Sequence, residues 1–361
     1  MGGVRALLLP VLLAGVAASA APGRLSDAQA KAQTGASLGR AAVAVDGGRW
    51  RQVTGTLRAE YCVEADQVCV PPGASVTFLV DEHGATLQAV TSPKPFSGWG
   101  LRFAAGREVR TGAQPGALAR GPLTGTVTDV LERDAARVTG DVVVDVADGG
   151  VDAVRIGTLA APLTHHGWKL PAGTWVDLAT PGIRFEVRDA KAPAAERVGP
   201  PDHFPKTARQ GYVTGEDAAR FMLDTPYGVA DGLTFAPGAL TLSTRPGGAR
   251  RYSGVLAAPL AIGGLRAKPG AAVTWEADAG VIGASIDFEG LGTPFVEVVR
   301  GADGGMTGFT FEVEPQCGCG GFPRPPRRVR LSLDGKPLDG ISEQVLAERP
   351  RACPPCRGKV P

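Results

Sequence analysis

Five glycine-bracketed heptads constrain this chain more than any other feature of it. "GLRFAAG" occupies 100–106, "GWKLPAG" 167–173, "GLTFAPG" 232–238 and "GLRAKPG" 264–270, while "QVCVPPG" at 67–73 lacks only the first glycine. The copies start at 67, 100, 167, 232 and 264, so the gaps are one, two, two and one units of about 33 residues. A fixed period in this range marks repeat architectures, in which neighbouring units bury what a single unit cannot. Longer copies support the period: 157–178 and 254–275 align without gaps, with nine identities in 22 positions. Degenerate copies are expected near 133 and 199, where "RVTGDVVVDV" (137–146) and "GPPDHFP" (199–205) fill the slots loosely.

Within a unit the local chemistry is that of a hairpin. "DVVVDVADGGVDAVRIGTL" reads as a strand, a glycine turn and a returning strand. In the heptad at 167, Trp168 and Leu170 alternate with Lys169, giving one apolar and one wet face. Gly100, Gly106, Gly167, Gly173, Gly232, Gly238, Gly264 and Gly270 are expected at turns flanking short strands, several with positive φ. Glycine and proline together make 81 of 361 residues, which penalises long helices.

The predicted fold class is all-β: stacked β-hairpin repeats forming an elongated, β-solenoid-like body over 40–280. Residues 187–222 are expected to interrupt it as an irregular insertion, with a short helix over 215–223. A polar arm, predicted flexible, spans 21–39, and 281–361 is expected to form a small disulfide-tied C-terminal cap.

The first twenty residues carry Arg5, an apolar run from Ala6 to Ala18 and the small-residue site Ala18-Ser19-Ala20. This is the pattern of a cleavable signal peptide. It predicts export to the periplasm, the cell surface or the medium, with no membrane-spanning segment afterwards. The formal charge of +2 falls to +1 without Arg5, which argues against a general nucleic-acid binder.

Six cysteines in an exported chain are most simply disulfides. Cys62 and Cys69 suit a local hairpin bridge, stabilising by roughly 2–3 kcal/mol in the chain-entropy model. Cys317 and Cys319 are too close to bridge each other comfortably and are expected to pair with Cys353 and Cys356. A four-thiolate zinc site and a redox "CPPC" dithiol are the alternatives, although no helix follows that motif to lower its thiol pKa. The segment 317–361 has nine Lys or Arg against four Asp or Glu. Its Arg324, Arg327, Arg328 and Arg330 are a candidate anion-binding patch, weighed against an edge strand protected by charge.

No nucleophile elbow, zinc-protease motif, P-loop or dinucleotide fingerprint is present in the sequence. His165 and His166 are adjacent on an extended chain, so their side chains should diverge rather than chelate one metal. Asp81-Glu82 and Glu216-Asp217 read as turn or surface carboxylates. No catalytic residue, metal or cofactor is therefore expected.

On Leu159, Gly167, Gly173, Thr174 and Val176, and again on Leu256, Gly264, Gly270 and Val273, the chain resembles exported bacterial hairpin-repeat proteins similar in style to MORN repeats. That resemblance covers about 40–275 and implies an extended β scaffold with no catalytic residues to carry over. The leading expectation is a non-enzymatic scaffold or binding protein of the cell envelope, its partner an envelope polymer, a lipid or a protein. The alternative is a lipid carrier, because "RVTGDVVVDV" and "GLTFAPGALTLS" are similar to strands of periplasmic lipopolysaccharide-transport proteins, whose open β groove holds acyl chains. An envelope hydrolase is the third, and would need His203 gathered with two carboxylates.

Overall fold

The computed structural model describes residues 23–46, 50–64, 67–112, 121–133, 135–147, 150–178, 181–199, 203–214, 218–230, 233–245, 248–288, 292–313 and 327–347. Most of them lie in antiparallel strands, and two short helices are present among them, α1 (Asp27–Thr34) and α2 (Gly340–Ala347). The signal-peptide segment, Gly232, Arg324, Glu216, Asp217 and Cys317, Cys319, Cys353 and Cys356 lie outside the described residues. The chain divides into two compact units. One comprises the described parts of Met1–Leu163 with Trp175–Ala179, the other those of Thr164–Thr174 with Thr180–Pro361.

The first unit is built on a meander in which each strand pairs with the next long one. It runs from Leu38–Asp46 through Trp50–Leu57, Ser75–Asp81 and Gly84–Thr91 to Glu108–Thr111. It continues through Gly121–Arg133, Ala136–Ala147 and Gly150–Leu159 to Trp175–Asp177. The second unit repeats the plan with ten strands, the first being Ile183–Glu186, Gln210–Val213, Ala218–Leu223, Gly238–Thr244 and Arg250–Val255. Ala272–Glu276, Gly280–Ser285, Phe295–Arg300, Met306–Val313 and Arg327–Leu331 complete it. Neither sheet closes into a barrel among the described residues.

The heptads are the second strands of small hairpins inserted between long strands. Phe96–Gly98 pairs with Leu101–Phe103, and Leu260–Ile262 with Leu265–Ala267. Their two-residue loops explain the first glycine. Trp99 and Gly100 have φ of 52° and 72°, and His166 and Gly167 have 43° and 70°, the doubly positive geometry that matches hairpin twist. The second glycine closes the strand. In Lys268-Pro269-Gly270-Ala271 the Ala271 amide donates to the Lys268 carbonyl at 3.1 Å and Gly270 has φ 84°, with proline and glycine where a type II turn wants them. That turn is stapled to the preceding long strand: Gly270 N–H donates to Leu256 O at 2.9 Å, as Gly73 N–H does to Leu57 O at 2.8 Å.

Gly173 sits in the same turn with φ 81°, and a Cβ there would meet nothing within 4 Å. Its replacement by valine should therefore cost about 1–2 kcal/mol through left-handed backbone strain alone. A melting temperature equal to that of the native chain would contradict the turn assignment.

The space between hairpins and sheet is filled by large side chains seated on glycines. Phe103, fully buried, lies where a Cβ at Gly125 would come within 3.0 Å of its ring. Phe235 covers Gly254 in the same way, at 2.8 Å. Cys62 and Cys69 stand directly opposite each other in Tyr61–Val63 and Val68–Val70 and form a disulfide, their Cα atoms 4.2 Å apart.

Four expectations are corrected. The described part of the 21–39 arm, from Gly23 on, is ordered: α1 has a capping box between Ser26 and Gln29, Ala30 and Leu38 are fully buried, and Gly23–Arg24 pairs with Ala42 and Val43. The segment 215–223 holds no helix in its described part; Ala218–Leu223 is a strand alternating exposed and buried residues. Alanine-rich helix propensity there loses to pairing on both sides, with Gln210–Val213 and Gly238–Thr244. Residues 187–222 are consequently not a plain interruption, since they supply two strands of the second meander. The stretch 137–146 is also no degenerate heptad but part of a twelve-residue long strand, Ala136–Ala147.

Candidate binding face

In the second unit, side-chain alternation gives the sheet two unlike faces. One is dry. Phe185, Phe221, Leu240, Val273, Val296 and Val329, each 1% exposed or less, fall on it from six of the ten strands. Around Trp168, which is fully buried, Phe185 and Phe221 pack at ring distances of 5.3 and 5.1 Å, and the Arg197 guanidinium lies 5.9 Å from the indole.

The other face is open, and cross-strand register lines its residues into one row. Arg184 stands opposite Tyr212, Tyr212 opposite Arg220, and Arg220 opposite Thr241. Thr241 then meets Ser253, Ser253 meets Thr274, and Thr274 meets Gly283. Glu297, Thr310 and Arg330 finish the row. At about 4.8 Å per strand step, ten strands carry it roughly 40 Å. The Arg184 guanidinium lies 5.8 Å from the Tyr212 ring centre, and the Ser253 and Thr274 hydroxyls are 3.0 Å apart. Phe295, 44% exposed, lies over Gly283, where a Cβ would fall 2.6 Å from its ring. This arrangement can bind anions and flat apolar rings.

Beside the row, Glu276 is 8% exposed and accepts from Arg251 at 3.2 Å, with Arg245 Nε at 3.1 Å. Of the arginine patch expected from sequence, Arg327, Arg328 and Arg330 are exposed. Arg328 pairs across the strands with Glu312 at 3.5 Å, and Arg330 ends the open row. The backbone N–H of Arg330 donates to the Ser342 hydroxyl on α2 at 2.8 Å, so the helix covers this strand edge.

Asp81 accepts from the His83 and Gly84 amides at 2.8 and 3.1 Å, which is turn chemistry. The His165 and His166 rings meet at 4.4 Å, and burial, then the neighbouring ring, lowers the His165 pKa. Among the described residues no group of three His, Cys, Asp or Glu could hold a metal ion. No described helix is long and apolar enough to cross a membrane.

His203 serves through its backbone: its carbonyl accepts from the Tyr227 hydroxyl at 2.8 Å and from Tyr252 at 3.4 Å. Burial, with Tyr252 adding to it and Arg250 opposing, pushes the Tyr227 pKa above the ordinary tyrosine range. Because the folded value lies above the unfolded one near 10, the stabilisation is complete below about pH 10 and is lost as pH rises further. Tyr227→Phe should cost about 1 kcal/mol at pH 8 for the lost hydrogen bond. Between pH 9 and 11 the native chain should lose more stability than this variant in urea denaturation. Equal losses would contradict the buried hydroxyl.

Sequence reasoning missed Arg184, Tyr212 and Arg220 because two of them fell inside the stretch taken as an insertion. The available signal was the period-two alternation of "ARFML", where Arg220 and Met222 alternate with buried Phe221 and Leu223. No family model, no curated protein and no solved structure matches this chain.

Proposed function

We propose that this is an exported, non-enzymatic β-repeat protein of the cell envelope that acts by binding an envelope partner on the open face of its second unit. The observation that carries the proposal is the register-aligned row from Arg184 to Arg330, which places arginines, hydroxyls and a half-buried tyrosine on one side of the sheet. On this view the 33-residue units stack in solenoid-like fashion as a scaffold, and the cysteine-bearing C-terminal segment caps it. A lipid carrier would need an empty trough between sheet and hairpins. That space holds Phe103 in the first unit and Trp168, Phe221 and Phe235 in the second, all 1% exposed or less, which supports a binding scaffold over a carrier.

The test is co-sedimentation of the mature chain with an isolated, washed envelope fraction. Saturable sedimentation is expected, without lipid retained in native mass spectrometry. A chain that stays in the supernatant would overturn the proposal, and stoichiometric bound lipid would replace it with the carrier.

A further inference from the structure

The chemistry of the open face narrows the partner. Next to the row that starts at Arg184 runs a second row, one pair further along each strand. It includes Met222 opposite Ala239, Val255 opposite Ala272, and Ser285 opposite Phe295. Met222, Val255 and Phe295 are 42%, 39% and 44% exposed, three of the large apolar side chains most open to solvent in the described chain. A row of arginines and hydroxyls thus lies beside one that is apolar in its middle, with Glu186 and Gln210 before Met222 and Glu312 and Arg328 after Phe295, both running across the strands.

A ligand matching both rows must be long, with apolar faces on one flank and negative charge and hydroxyls on the other. We infer that the face binds a linear polyanionic polysaccharide laid perpendicular to the strands. This rests on the envelope-binding role proposed above. Pyranose rings have apolar C–H faces that fit Phe295, Met222 and Tyr212, and hydroxyl rims that exchange hydrogen bonds with Thr241, Ser253 and Thr274. Carboxylate or phosphate substituents meet Arg184 and Arg220, whose planar guanidinium groups suit such anions. Over both rows four arginines stand against three glutamates, and Glu186 and Glu312 are already paired with Arg188 and Arg328, which leaves Arg184 and Arg220 to meet an anion.

A bilayer fits less well. Interfacial anchoring takes a coherent apolar face that sinks below the headgroups. Here alanines and Ser285 separate the larger side chains, and the neighbouring row is hydroxylated. A peptide partner adding a strand would need a free edge, and Arg330 at the last strand already has its N–H and C=O engaged by Ser342 and Leu338.

The experiment uses the mature chain and polygalacturonate as the probe, with neutral dextran and phosphatidylglycerol vesicles as comparisons, read by isothermal titration calorimetry. Polygalacturonate should bind, more weakly as salt rises, and dextran should bind far less. Combining Arg184→Ala and Arg220→Ala should weaken binding at least tenfold at an unchanged melting temperature. Tyr212→Ala should weaken it severalfold while Tyr212→Phe retains it. Arg102→Ala, on an exposed position of the first unit, should change nothing. Vesicles binding in place of polygalacturonate, or an Arg102→Ala effect equal to that of the double variant, would overturn the inference. If the double variant still sediments with the envelope fraction as the native chain does, the glycan face is wrong and the envelope role stands. If the native chain does not sediment, the envelope role itself fails.

Discussion

Trp168→Ala should lower the stability of the second unit by about 3–5 kcal/mol, the range for removing a large aromatic from a packed core. Trp168 is fully buried at the start of a three-residue strand, with Phe185 and Phe221 against its ring. Phe204 reaches the same cluster through Phe221, at 5.5 Å. Three segments far apart in sequence therefore converge on one side chain, and truncation leaves a cavity that none can fill without moving its strand. The Arg197 guanidinium, 5.9 Å from the indole and 5.3 Å from Phe204, would lose one of two aromatic partners. Lys169→Ala, on the exposed side of the same strand, should stay within about 0.5 kcal/mol. Guanidinium denaturation of the pair decides: comparable shifts in both would show that the heptad does not bury Trp168.

The second large effect is expected at Gly182. A Cβ there would lie 1.7 Å from the carbonyl oxygen of Val213, 2.6 Å from its carbon and 2.8 Å from the Cα of Thr214. All three are backbone atoms, so no rotamer change relieves the overlap. Gly182→Ala should separate the first strand pair of the second sheet, where Ile183 faces Val213, and cost about 3 kcal/mol or more. Gly173→Ala provides the contrast, since only its positive φ is at stake there. Urea midpoints for the two variants should rank Gly182→Ala well below Gly173→Ala. The reverse order would mean that the strands do not approach as closely as described.

These two sites mark where sequence reasoning reached and where it stopped. The heptad glycines were legible because a turn is a local event: positive φ at Gly167 and Gly270, and proline before Gly270, depend only on neighbours a few residues away. The Cys62–Cys69 bridge was legible for the same reason, closing a separation of seven residues. Gly182 carried no such sign. Its requirement comes from Val213, some thirty residues on, whose carbonyl approaches only once the sheet has formed.

The β class and the turn positions were therefore set by the sequence itself, through composition, alternation and glycine–proline placement. Tertiary structure decided which strands pair. The segment 215–223 reads as a helix alone, and its described part, 218–223, is a strand because partners on both sides satisfy its backbone and bury Ala219, Phe221 and Leu223. It also decided the candidate binding face. Arg184, Tyr212, Arg220, Thr241, Ser253 and Thr274 are spread over some ninety residues, with no shared motif. They become neighbours only because antiparallel register, a property of pairs of strands and not of either strand alone, puts every second side chain on the same side and in line.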